Sequence, residues 1–376
     1  MVFNNYFKST VPAFLVVILL LSSCKKEKNG NIEPKVPEIS GTKGIYVLCE
    51  GLWGQNNSAI SYYDIATNKV EKDMYKKVNK TDLGETANDL KAYGSKMYCV
   101  VSGTQGEAKS FLDIIDIATC KSLKRISFNS AHDGFMPRYV AFYKNKAYVS
   151  RYDGVISRID TATMSVDAEL QLMNGTNKAV GLEGLAVTNG KLYVTNSWHP
   201  YYPNGLRSKV TVIDLNSFTK TKDIEVGNNP VRIAAADNGD LYAITWNVLG
   251  ETNNPSLVRI NSITDAVVQK EEVLQWDYYS AITIAKNQGW VGINAEIKSI
   301  NLSTGKLGSN LITDGTTITT IYGLTVNPFD NSVVVADAEG YNGNAGRAYV
   351  FVDGKKKYDF ATTGLPQHSV FNYTYK

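Results

Sequence analysis

The chain has 376 residues, 43% hydrophobic and 20% charged, which places it among globular proteins and outside the disordered range. Glycine has no three-residue period and no heptads run through the sequence, so collagen-like and coiled-coil classes are excluded. The net charge is +3, and residues 44–376 hold 33 basic and 33 acidic side chains, so charge gives no reason to expect a nucleic-acid partner.

Residues 1–23 read as an export signal. Lys8 is the basic flank, and Ala13–Leu21 is an unbroken apolar run, too short for a membrane span of roughly 20 residues. The run closes on Leu21-Ser22-Ser23-Cys24, which resembles a bacterial lipobox; the resemblance implies cleavage before Cys24 and lipidation of its sulfur. Residues 24–43 are polar, contain two prolines and lack periodicity, as a flexible tether does. The remaining cysteines, Cys49, Cys99 and Cys120, are odd in number and read as structural rather than as a disulfide framework.

From residue 44 onward the sequence repeats. An apolar strand, an Asp or Asn, a short polar turn and a second strand recur, anchored at Asp64, Asp116, Asp160, Asp214, Asn261, Asn301 and Asp353. The spacing is about 48 residues, and a period of 40–50 with some four short strands per unit is the mark of a β-propeller. A hairpin precedes most of these phrases, as in DLKAYGSKMYCVV and IAAADNGDLYAIT, with Asn189-Gly190 and Asn238-Gly239 as strong turn signals. Each unit reads as strands A, B, C and D, and no segment has a convincing helical period. The first unit opens at its B strand near Ile45, while the C-terminal LPQHSVFNY resembles the A-strand openings MPRYVAFY and NPVRIAAA. The expectation is an all-β, seven-bladed propeller of four-stranded antiparallel blades over 44–376, closed by the C-terminal strand pairing into blade 1.

LYVTN at 192–196, followed by VTVIDLNSFTKTKDIEVG, resembles the YVTN-type seven-bladed propellers. The opening IYVLCEGLWGQNNSAISYYDIATNKV and the late YGLTVNPFDNSVVVADAEGY resemble a Bacteroidetes subgroup of propeller lipoproteins that includes the BtuG-type surface proteins, which capture cobalamin. The resemblance spans residues 44–376. It implies a monomeric propeller anchored at the outer membrane by lipid alone, facing the cell surface or the periplasm, handing a nutrient to a TonB-dependent transporter. The Lys-Lys-Glu-Lys run after Cys24 departs from the acidic run that surface-exported relatives carry there.

In a propeller the D–A and B–C loops share one face and the A–B and C–D turns the other. Here the A–B turns are short, while several B–C loops are long and aromatic. That face carries Trp53, Trp198, Trp246, Trp276, Tyr152, Tyr202, Tyr279 and Tyr341, with Tyr322 at the opening of an A strand. Large aromatics in loops need a covering partner and offer flat, low-entropy contact. Asn56, Asn57, Arg138, Arg232, His199 and His368 add hydrogen-bonding tips, so the face suits a bulky, planar, amide-rich ligand such as cobalamin, or a glycan. The alternative is that these aromatics pack between blades.

Enzyme motifs are missing: no HExxH, GxSxG, Walker loop or calcium loop occurs, and the three histidines show no metal-ligand spacing. The recurring Asp reads as turn chemistry. The expectation is a non-catalytic capture protein with no cofactor and no metal. A protein- or glycan-interaction scaffold is the first alternative, and a lactonase-like hydrolase using Glu183, Asp277, Asp337 or Glu339 is the second.

Overall fold

The computed structural model describes residues 38–103, 109–128, 137–197, 207–246, 255–273, 281–341 and 343–376. Ile39–Lys376 forms one compact unit. Seven four-stranded antiparallel sheets are arranged as blades in a ring, as the repeat requires. Blade 2 runs Thr86–Tyr93, Lys96–Ser102, Phe111–Asp116 and Ser122–Ser127 from the inside out. Blades 3, 4 and 5 follow the same order, with inner strands Pro137–Tyr143, Leu182–Thr188 and Pro230–Ala235. The inner strands of blades 6 and 7 are Ile282–Ala285 and Ile321–Val326.

Blade 1 closes the ring as expected. Its inner strand is the C-terminal Pro366–Tyr375, which pairs antiparallel with Ile39–Cys49, followed outward by Ala59–Asp64 and Lys69–Glu71. The strand expected to open near Ile45 begins at Ile39, because Ile39 and Thr42 pair with Tyr375 and Tyr373 at the far end of the closing strand.

The core is divided into clusters at the seams between blades. Tyr98, Val100 and Ile114 of blade 2 pack with Val140, Val149 and Ile159 of blade 3. Ile45 and Phe371 of blade 1 pack with Val334 and Val350 of blade 7. Each buried Val, Leu or Ile contributes about 1.5–3 kcal/mol, so every blade is held chiefly by its neighbours. Cys49, Cys99 and Cys120 are buried free thiols within this core.

The anchoring residues do form the C–D turns. Asp64, Asp116, Asp160, Asp214, Asn261 and Asn301 each accept backbone N–H bonds from two or three residues ahead, as in Asp214 Oδ1 from Ser217 N at 2.8 Å. The residue four positions on is left-handed each time: Asn68, Cys120, Met164, Phe218, Asp265 and Gly305. In most blades the outer pairing slips just beside this turn, which is the type I turn plus bulge of a longer hairpin. Asp353 departs from the pattern: it and Gly354 are both left-handed, so blade 7 turns in two residues.

Two local elements were not expected from the sequence. A short helix, Met74–Asn79, is capped by Asp73 accepting from Lys76 N and buries Tyr75. A two-residue hairpin pairs Met173–Asn174 with Asn177–Lys178.

Candidate ligand site at the channel mouth

The inner strands of six blades share one irregularity. Their pairing to the next strand slips near the first residues: between Ala87 and Asp89, Pro137 and Val140, Leu182 and Leu185, Pro230 and Arg232, and Ile321 and Gly323. The closing strand slips between its pairs at Pro366 and Ser369. A bulge re-aims the side chains beside it. Here the bulged positions carry Asn88, Arg138, Glu183, Tyr322, Gln367 and His368, with Arg232 at the edge of the slip. Blade 6 pairs without a slip.

These side chains meet across blades. Arg138 Nε donates to Glu183 Oε2 at 3.0 Å, and Arg138 Nη1 donates to Asn88 Oδ1. Tyr152 OH and Ser197 Oγ donate to Glu183 Oε1, and the Arg138 guanidinium lies 5.0 Å from the Tyr152 ring. On the other side Tyr322 OH and Gln367 Nε2 both donate to Glu50 Oε2. Tyr139 sits between two guanidinium groups, 6.0 Å from Arg138 and 4.9 Å from Arg232. His368 Nε2 lies 3.7 Å from Asp89 Oδ1, while Asp89 Oδ2 accepts from Val140 N at 2.9 Å.

The electrostatics follow from burial and these neighbours. Burial disfavours the Arg138 charge, yet Glu183 and Tyr152 outweigh it and hold the guanidinium above its ordinary basicity. Arg232 is less well supported: burial and then Arg138 outweigh the attraction of Glu50, Tyr322 and Asp89 and bring it down to about 10. Burial raises the Glu50 carboxyl, against the pull of Tyr322, Arg138, Arg232 and Gln367. Burial also lowers His368 to about 4, aided by Arg232 and Lys91 and opposed by Asp89. At neutral pH His368 is therefore an uncharged imidazole between charged neighbours.

Of the residues chosen from sequence, Arg138, Arg232, Tyr152, Tyr322 and His368 come together at this mouth. Tyr341 joins them edge-on, its ring 6.0 Å from Tyr322. Leu52 packs on the same small cluster of Tyr322, Ala338 and Leu365. Trp53 beside it is 52% exposed. Asn56 is exposed and left-handed, and Asn57 holds its own loop, accepting from Leu52 N at 2.7 Å and donating to Gly343 O. Trp246, expected to face a ligand, packs against the blade 5–6 core of Val231, Ile244, Leu257 and Val291. Trp198, His199, Tyr202, Trp276, Tyr279 and Cys24 lie outside the described residues.

Sequence reasoning missed Glu50, Asn88, Asp89 and Gln367. Their signal is a polar residue within an otherwise apolar inner strand, or just after a B strand, where a core face leaves no place for it. Glu183 was singled out only as a metal ligand. Among the described residues no cluster of three or more potential ligands gathers, and Asp337 instead accepts from Thr319 N, Thr320 N and Glu339 N.

These features define a seven-bladed β-propeller with a polar, aromatic-rimmed mouth at the end of the ring where the inner strands begin. The chain belongs to the family described as a domain of unknown function, DUF5074, whose model matches residues 43–375. Among curated proteins none matches the sequence. Solved structures share the fold at low identity. One is hydrazine synthase of Kuenenia stuttgartiensis, with TM-score 0.52 and 15% identity over 68% of this chain and 73% of that one. The Pan2 WD40 domain of Neurospora crassa gives 0.52 and 9% over 74% and 79%. The computationally designed Ika8 protein gives 0.51 and 14% over 86% and 88%. At these identities the likeness speaks for the fold alone.

Proposed function

We propose that this propeller is a non-catalytic capture protein whose mouth binds a bulky, planar, amide-rich nutrient, with cobalamin as the named ligand. The observation that carries the reading is the convergence of Arg138, Arg232, Tyr152, Tyr322 and His368, from several blades, onto one mouth, next to a loop whose Leu52 packs by Tyr322 and whose Trp53 is exposed. A propeller suits this work because the strand openings of six blades deliver side chains to one place on a rigid frame. The carboxylates there are already engaged: Glu183 by Arg138, Tyr152 and Ser197, and Glu50 by Tyr322 and Gln367. Groups so occupied hold shape rather than shuttle protons. The same reading takes Cys24 as the lipid anchor at the outer membrane and a TonB-dependent transporter as the recipient of the ligand.

The test is calorimetric titration of the chain with cyanocobalamin. The reading predicts one site of submicromolar affinity, weakened at least about tenfold by Trp53→Ala, as for an aromatic anchor at an interface. No heat at tens of micromolar would remove cobalamin and move the protein- or glycan-interaction reading to first place.

A further inference from the structure

Below the mouth, a cavity of 650 Å³ runs between the inner strands of all seven blades. That volume is in the range of small-molecule sites. Its walls are largely apolar, with Leu90, Phe142, Ile233, Ile282, Leu324 and Val326 among them. The polar groups in the wall are mostly spoken for. Thr283 and Thr325 accept from Val326 N and Ser369 N, and Lys91 Nζ donates to Val140 O at 2.8 Å beside Asp89.

The exceptions are the buried Ser369 hydroxyl and, as the one charged group among them, Arg232. Among the described residues its guanidinium makes no hydrogen bond and no ion pair, and its one close partner is the face of Tyr139. Five N–H donors thus line an apolar cavity without an acceptor. The guanidinium is only half-buried, open to the channel, and so able to take an anion there; Glu50 and Asp89 attract it without bonding to it. Glu50 accepts from Tyr322 and Gln367, Glu183 from Arg138, and Asp89 Oδ2 from Val140 N, while Asp89 Oδ1 faces His368 at 3.7 Å rather than Arg232.

We propose that the channel binds a small apolar monocarboxylic acid, its carboxylate on the Arg232 fork and its hydrocarbon against the aliphatic walls. A planar carboxylate matches the guanidinium fork with two parallel bonds. A monoanion fits better than a phosphate dianion: one uncommitted cation faces the cavity, His368 is uncharged, and Glu50 and Asp89 lie close enough to penalise a second negative charge. The site stands on the channel itself and holds whether or not the mouth captures cobalamin.

The experiment is calorimetric titration of the full chain, at constant ionic strength, with hexanoate, benzoate, hexanamide and inorganic phosphate. Hexanoate and benzoate should bind at one site, and hexanamide should bind at least about tenfold more weakly. Arg232→Gln should abolish that preference for the acid over the amide, and Arg232→Lys should keep part of it. The ligand-free Arg232→Gln chain should melt no lower than the parent, because no acceptor is orphaned. No binding of either acid at about 10 mM would overturn the proposal. So would equal binding of hexanamide, or binding of phosphate in place of hexanoate. A lowered melting point in Arg232→Gln would make Arg232 a structural residue and count equally against it.

Discussion

At the scale of single residues the mouth is a set of ionisable groups whose charges are set by burial. His368 keeps its proton off down to about 4 in the folded chain, against an ordinary imidazole value of 6.5. The unfolded chain therefore binds this proton first as the pH falls. Stability from the neutral imidazole is fully present above 6.5 and is lost progressively between 6.5 and about 4. The loss amounts to up to ~3 kcal/mol. Glu50, raised by burial, has the opposite slope, since its folded form holds the proton longer. Comparing the parent with His368→Gln isolates the histidine. Urea unfolding from pH 7 to pH 4 should show the parent losing more stability than the variant. Parallel curves would mean that His368 titrates as it does in the unfolded chain.

At the scale of elements, two devices recur around the ring: a capped turn at the outer hairpin and a bulge at the opening of the inner strand. The turn was legible in the sequence, because its chemistry is local. An Asx residue, a Ser or Thr three positions on and a left-handed position after it lie within one short window. Asn261→Ala removes acceptors for Ile263 N and Thr264 N and a donor to Asp240, and should cost about 1 kcal/mol in equilibrium unfolding. The bulges were not legible, since a one-residue slip depends on the partner strand and leaves no mark in the hydrophobic pattern. At one of them two blades approach closely. A Cβ on Gly323 would lie 2.1 Å from the Gln367 carbonyl oxygen of the neighbouring inner strand. Gly323→Ala should therefore destabilise by at least ~2 kcal/mol and loosen the seam between blades 7 and 1. Unchanged denaturant midpoints would show that the seam can yield.

At the scale of the molecule, the ring depends on its last strand. Pro366–Tyr375 supplies the inner edge of blade 1 and packs against the inner strands of blades 7 and 2. Deleting residues 366–376 would leave Ile39–Cys49 an open edge and two seams half built. The truncated chain should lose cooperative unfolding and aggregate; a soluble monomer with a sharp transition would show that closure is dispensable. This much could be read from the sequence, because the closing strand carries the same opening phrase as its siblings. The mouth could be read only in part. Arg138, Arg232 and His368 stood out as polar residues at strand openings, but their partners lie far away in the chain. Glu50 meets Tyr322 and Gln367 across 272 and 317 positions, a pairing that no local spacing encodes. Trp246, an aromatic beside a loop, packs one side of its ring on the core of blades 5 and 6 and stays partly exposed, which the sequence did not foretell.

The central claim is that ligand is taken at the mouth formed by the inner-strand openings. Hydrogen–deuterium exchange with and without cyanocobalamin tests it most directly. Slower exchange is predicted at residues 50–58, 138–139, 231–232, 322 and 367–368, with the opposite-face turns Lys144-Asn145 and Asn189-Gly190 unaffected. Protection confined to those opposite turns, or absent from the chain, would contradict it.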